Sequence, residues 1–147
     1  MKKILVTLVA VLAFVAFASA QPRAVGVRAG WPVGELSYQH SLSNNFLEFD
    51  LGWFNNGVNL VGVYDFVFAS ANIFNFYVGP GAQIGFYNFK DGDKTLMKFN
   101  LGLTAQLGVE AEIPSVPINL SLDWRPTIVS IGGSFWGGIA LGIRYRF

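Results

Sequence analysis

Residues 97–113 alternate without a break, and this constrains the fold more than any other feature of the chain. Met97, Phe99, Leu101, Leu103, Ala105, Leu107, Val109, Ala111 and Ile113 hold one parity; Lys98, Asn100, Gly102, Thr104, Gln106, Gly108, Glu110 and Glu112 hold the other. Successive side chains of a strand point to opposite faces, so a period of two gives one apolar face and one polar face.

The pattern recurs. Val116, Ile118, Leu120, Leu122 and Trp124 oppose Asn119, Ser121, Asp123 and Arg125, and near the C-terminus Ile139, Leu141, Ile143, Tyr145 and Phe147 alternate with Ala140, Gly142, Arg144 and Arg146. In residues 74–87 the apolar set runs from Phe74 to Phe86, with Pro80 expected to mark a bulge because proline cannot donate to a ladder. Earlier strands fit residues 23–31, 35–43, 46–54 and 57–69; the last is the least regular, since Val61, Val63 and Val67 share a parity with Asn59 and Asp65. Clusters of Gly, Asn, Asp, Ser and Pro lie between them, the longest loops being expected at residues 88–95 and 128–136. No helical period appears. The prediction is all-β, with eight antiparallel strands of roughly the 9 to 11 residues that a tilted strand needs to cross a bilayer.

Residues 1–20 read differently. Lys2 and Lys3 precede an apolar run from Ile4 to Phe17, and Ala18-Ser19-Ala20 follows, the order of a cleavable secretory signal. The run is short for a spanning helix, so residues 1–20 are expected to be removed and residues 21–147 to form one exported domain. Setting Lys2 and Lys3 aside from the 10 basic residues leaves 8 against 9 acidic ones, a balance that offers nothing to nucleic acid. With no cysteine, neither disulfides nor thiolate metal sites are expected, and no cofactor is implied.

Alternation leaves open which face is wet. In a soluble barrel of the lipocalin type the apolar face would point inward. Yet only 13% of residues are charged, against about a quarter in soluble domains, and the polar face is largely Gly, Asn, Ser, Gln and Thr. Small side chains suit the interior of a narrow eight-stranded barrel, which Phe and Trp in such numbers would overfill. With the first strand running outward, Trp31, Trp53, Phe86, Phe99, Trp124 and Trp136 fall at one end, and Phe46, Phe68, Phe74, Phe76, Tyr145 and Phe147 at the other. These read as two interfacial girdles, with Trp31, Trp53, Trp124 and Trp136 as anchors. Closure follows because strand edges in hydrocarbon leave backbone groups unpaired. The fold class expected is therefore an eight-stranded antiparallel up-and-down transmembrane β-barrel.

Gly142-Ile143-Arg144-Tyr145-Arg146-Phe147 resembles the terminal β-signal of outer-membrane proteins, with Leu141, Ile143, Tyr145 and Phe147 as its alternating apolar and aromatic positions. Residues 24–30, 76–82 and 118–126 also resemble small outer-membrane β-barrel proteins abundant in the Bacteroidota. More distantly the chain is similar to eight-stranded barrels of the OmpA and OmpX type. The resemblance spans residues 21–147. It implies the bacterial outer membrane as location, lipid and lipopolysaccharide as surroundings, the barrel-assembly machinery as a partner in biogenesis, and a monomer.

Arg28, Glu48, Asp50, Asp65, Glu110, Asp123, Arg125 and Arg144 all lie on the polar parity, as do Lys98, Glu112 and Arg146. If that face is interior they must pair, because a buried charge without a partner carries a large desolvation cost. Arg28, Asp123 and Arg144 come from strands that adjoin at closure and are the expected centre. The reading that follows is a non-enzymatic barrel with a structural or surface-interaction role. A narrow channel gated by exchanging ion pairs is the alternative, and a lipid A-modifying enzyme stands behind it. His40-Ser41 is the one pair that invites nucleophilic chemistry, but neighbours on a strand face opposite ways. Asp91-Gly92-Asp93 lacks the further carboxylates of a calcium loop and reads as a hairpin turn. The aromatics of residues 132–136 could meet a glycan or partner, or anchor at an interface.

Overall fold

The computed structural model describes residues 22–30, 34–54, 56–130 and 133–147. The expected signal of residues 1–20, Gln21 and Trp31 lie outside the described residues. Among those described, the protein is all-β: β1 (Pro22–Gly30), β2 (Gly34–Leu42), β3 (Asn45–Phe54), β4 (Gly57–Ala71), β5 (Phe74–Asp91), β6 (Lys94–Ile113), β7 (Ile118–Trp124), β8 (Thr127–Val129), β9 (Gly133–Phe135) and β10 (Ile139–Arg146).

Each strand from β1 to β6 pairs antiparallel with the next, β7 pairs with β10, and β10 pairs with β1, so the sheet closes. β8 continues the line of β7 past Arg125-Pro126 and stays bonded to β6, while β9 continues the line of β10. The ring therefore has eight staves. Stepping along paired residues from Val109 through Leu122, Leu141, Ala29, Gly34, Trp53, Val58 and Phe86 returns to β6 at Phe99, ten residues from the start. With about 3.3 Å per residue along a strand and about 4.8 Å between strands, that offset tilts the staves by about 40°.

Two-residue turns join β2 to β3, β4 to β5 and β5 to β6, and the first residue of each, Ser43, Asn72 or Gly92, has φ near +60°. Turns of that hand match the twist of the strands they join. The lower rim carries the start of β1, the end of β10 and the turns at Ser43 and Asn72; the upper rim is the other end.

The apolar parity faces out. Leu101, Leu103, Leu120 and Leu141 are exposed on the outer surface, whereas Gln106, Asp123 and Arg144 are buried inside. This is the reverse of a lipocalin-type barrel. From residue 22 onward, every charged side chain sits either on the inner face or on the β5–β6 hairpin above the upper rim.

Four expectations need correction. Phe46 does not join the lower girdle: it is fully buried inside, on the parity of Glu48 and Asp50, and meets Tyr77 edge-on at 5.2 Å between ring centroids. Residues 88–95 are not an open loop, because β5 and β6 stay paired up to Asp91 and Lys94, beyond the last β4 partner of β5 at Tyr87. Likewise the expected loop of residues 128–136 contains paired strand: Thr127–Val129 (β8) pairs antiparallel with Gly133–Phe135 (β9). Pro80 keeps register with Ala105, and the register shift of β4 lies lower, between Val67 and Ala69, facing Tyr77 and Phe76. The missing N–H at Pro80 is tolerated where the β4 ladder passes from Val63↔Gly81 to Phe66↔Val78.

Candidate functional site

Among the described residues, the lumen gathers the buried polar and charged side chains into one network. Glu48, fully buried on β3, is its hub: Gln39 Nε2 donates to Oε2 at 2.9 Å, and Arg125 Nη2 donates to Oε1 at 2.8 Å. Arg144 Nη2 lies 3.0 Å from Oε2, an ion pair in distance without hydrogen-bond alignment. Arg125 also donates through Nε to Gln106 Oε1 at 2.6 Å and pairs with Asp50.

Arg28 pairs with Asp123 and Glu35, its Nε 2.8 Å from Asp123 Oδ1. Between them in the sheet stands Gly142, partner of Arg28 on one side and Ser121 on the other. A Cβ at Gly142 would come within 2.3 Å of Ser121 Oγ and 2.7 Å of Arg144 Nη1, so the absence of a side chain there lets the arginines lie across β10. Arg144 itself turns away from Asp123, donating to Ser37 Oγ at 2.8 Å and Ser121 Oγ at 2.7 Å. The expected central trio is thus one pair, Arg28 with Asp123, and a separate Arg144–Glu48 contact.

Nearer the lower rim a second group forms. Arg23 pairs with Glu110 and lies 3.2 Å from Glu112 Oε1, Asn119 Nδ2 donates to Glu110 Oε2 at 3.2 Å, and Arg146 Nη1 donates to Glu112 Oε2 at 2.7 Å. The Arg23 guanidinium also stacks 4.2 Å over the Phe46 ring.

Asp65 departs from the expectation that every inner charge pairs. Among the described residues it makes no ion pair: Gln106 Nε2 donates to Oδ2 at 3.2 Å, and Oδ1 is buried with no partner. The nearby Arg125 is already engaged by Glu48 and Asp50. Lys98, placed on the same parity, lies above the ring with its ammonium 4.2 Å over Phe89.

The sequence reading missed Glu35, Ser37, Gln39, Arg23 and Tyr77. The first three were legible as the even-spaced polar set of β2. Tyr77 stands on the polar parity of residues 74–87 with Asn75 and Gln83, as the structure also has it, but nothing in the sequence ties it to the network. Its ring fits inside only because Gly108 opposes it, where a Cβ would sit 2.4 Å from Cζ.

The network with Phe46, Tyr77 and Gln106, all fully buried, separates two cups. An upper cup of about 960 Å³ stands above Arg28, Glu35 and Arg125; a lower one of about 530 Å³ is lined by Arg23, Ser41, Asn75 and Glu112. His40 lies outside, its ring Nδ1 3.3 Å from the Tyr38 hydroxyl, while Ser41 lines the lower cup, so the two share no site. On the outer surface Trp53, Trp124 and Trp136 ring the upper rim, with Trp124 Nε1 donating to the Trp136 carbonyl at 2.7 Å. Leu141, Ile143, Tyr145 and Phe147 are exposed along β10 and just beyond it. No protein-family model, curated protein or solved structure matches this chain.

Proposed function

We propose that the protein is a bacterial outer-membrane barrel, exported by the signal of residues 1–20 and acting as a non-enzymatic structural or surface-interaction component. The observation that carries this reading is the segregation of charge: no Asp, Glu, Lys or Arg of the described ring faces outward, and that surface is mostly Leu, Val, Ile and Phe, with Ala, Trp, Tyr and His40 among them. Water would not favour an apolar surface of this extent on a monomer, whereas hydrocarbon would. Ile139 to Phe147 spans about 20 Å along the barrel axis at the tilt derived above, near the roughly 25 Å apolar band of such barrels. Aromatics at both rims suit headgroup depth.

The packed middle of the lumen argues against a conduit. A solute would have to part Arg125 from Glu48 and displace Phe46 and Tyr77. The exposed Leu141, Ile143, Tyr145 and Phe147 suit recognition by the assembly machinery before the barrel seals. A monomer is the working state.

Cell fractionation with heat-modifiable gel migration tests the reading. The protein should sediment with outer membranes and migrate faster unboiled than boiled. Recovery as a soluble periplasmic protein would overturn it, and stepwise currents in a planar bilayer would replace the sealed barrel with a channel.

A further inference from the structure

The upper cup is a built cavity with unspent hydrogen-bonding capacity. Asn59 of β4 and Asn100 of β6 stand at one level on either side of Gly85, and Gln83 lies two residues below Gly85 on β5, flanked by Val61 and Gly102. Among the described residues Asn59 Oδ1 is buried with no hydrogen-bond partner. Glycine at 85 leaves the space that Asn100 leans into, since a Cβ there would come 2.6 Å from its Oδ1. Glycine at 102 does the same beside Gln83, at 2.8 Å from Cγ. Phe135 of β9 forms an apolar wall opposite.

We infer that this cup binds a short neutral oligosaccharide through the carboxamides of Asn59, Gln83 and Asn100. Each carboxamide offers two donors and an acceptor without net charge. Ligands that match such a set present hydroxyls, which both donate and accept, and the C–H faces of sugar rings lie against an aromatic wall. An ionic ligand finds less here, because the charges on the floor are committed: Arg28 to Asp123 and Glu35, Arg125 to Glu48 and Asp50. The volume lies within the roughly 300 to 1,000 Å³ of small-molecule sites. Display of the cup to the cell exterior rests on the membrane reading above; the binding chemistry does not.

The test is an NMR titration of the side-chain amides of full-length protein refolded in a sugar-free detergent, with maltotriose and chitotriose as probes and sialyllactose as a charged comparison. At least one neutral probe should shift the signals of Asn59, Gln83 and Asn100 saturably, at millimolar concentration or below. Replacing Asn59→Ala together with Asn100→Ala should weaken that binding about tenfold or more. Gly85→Leu, which fills the recess from a different residue, should abolish it, and heat-modifiable migration identifies variants that have folded. Absence of any shift with both neutral probes, tighter binding of sialyllactose, or undiminished binding in folded Gly85→Leu would overturn the proposal. Because the protein is in micelles, the outcome is separate from where the cell places it.

Discussion

Arg125 reaches Glu48 across the full width of the lumen, Nη2 to Oε1 at 2.8 Å, although β7 and β3 stand on opposite sides of the ring. The pair braces the barrel from within, joining staves that share no backbone bonds. Two buried charges gain little over a well-packed apolar pair, but removing one strands the other.

Glu48→Ala should therefore be costly, since it leaves both Arg125 and Arg144 short of an anion. A loss of about 3 to 5 kcal/mol is expected. Urea unfolding of protein folded in vesicles reads it, and an unchanged midpoint would mean the hub is not a brace.

The opposite sign is expected at Asp65, which makes no ion pair among the described residues. Asp65→Asn keeps a hydrogen-bonding group beside Gln106 while discarding an uncompensated charge, and should raise stability by about 1 kcal/mol. A lower midpoint would mean that the Asp65 carboxylate is compensated within the lumen, by the nearby Arg125.

Gly108 and Tyr77 form a matched pair of small and large. Gly108→Ala should cost about 1 to 3 kcal/mol by driving a methyl into the phenol ring. Most of that cost should vanish when Tyr77 is already Leu. A double-mutant cycle measures the coupling, and additivity would separate the two residues.

If lipid covers the outside, Leu103→Arg should destabilise the vesicle-folded protein by about 2 to 4 kcal/mol. A soluble barrel would accept the same arginine on its surface almost freely. The substitution therefore distinguishes the two environments within one measurement.

Phe147→Ala is expected to lower the heat-modifiable fraction in cells while leaving the unfolding midpoint of refolded protein nearly unchanged. Such a split identifies a residue read during assembly. Equal losses in both assays would assign Phe147 a packing role instead.

Much of this architecture was legible because parity carries the face in β6, β7 and β10, where apolar and polar residues separate cleanly. Parity and hydrophobicity part company at Phe46, Tyr77, Val61 and Val63, which point inward in spite of their chemistry. Only the strand partners reveal that Gly108 makes room for Tyr77 and Gly81 for Val63. At residues 88–95 the Asp-Gly-Asp turn was readable, but the polar residues beside it looked like loop. A two-stranded hairpin standing clear of the ring has no inner face to bury, so it loses the pattern by which strands are recognised. The inner charges were visible singly, whereas their pairing depends on the ten-residue offset around the ring.

Kinetics follow from where the seam lies. From β1 to β7 each pairing joins sequence neighbours, whereas β1 and β10 bring together Val27 and Ile143. Loop closure of that length is slow, so the seam should limit the folding rate. Changes at Val27 or Ile143 then delay closure, and changes in the β5–β6 hairpin mainly alter how fast the finished barrel opens.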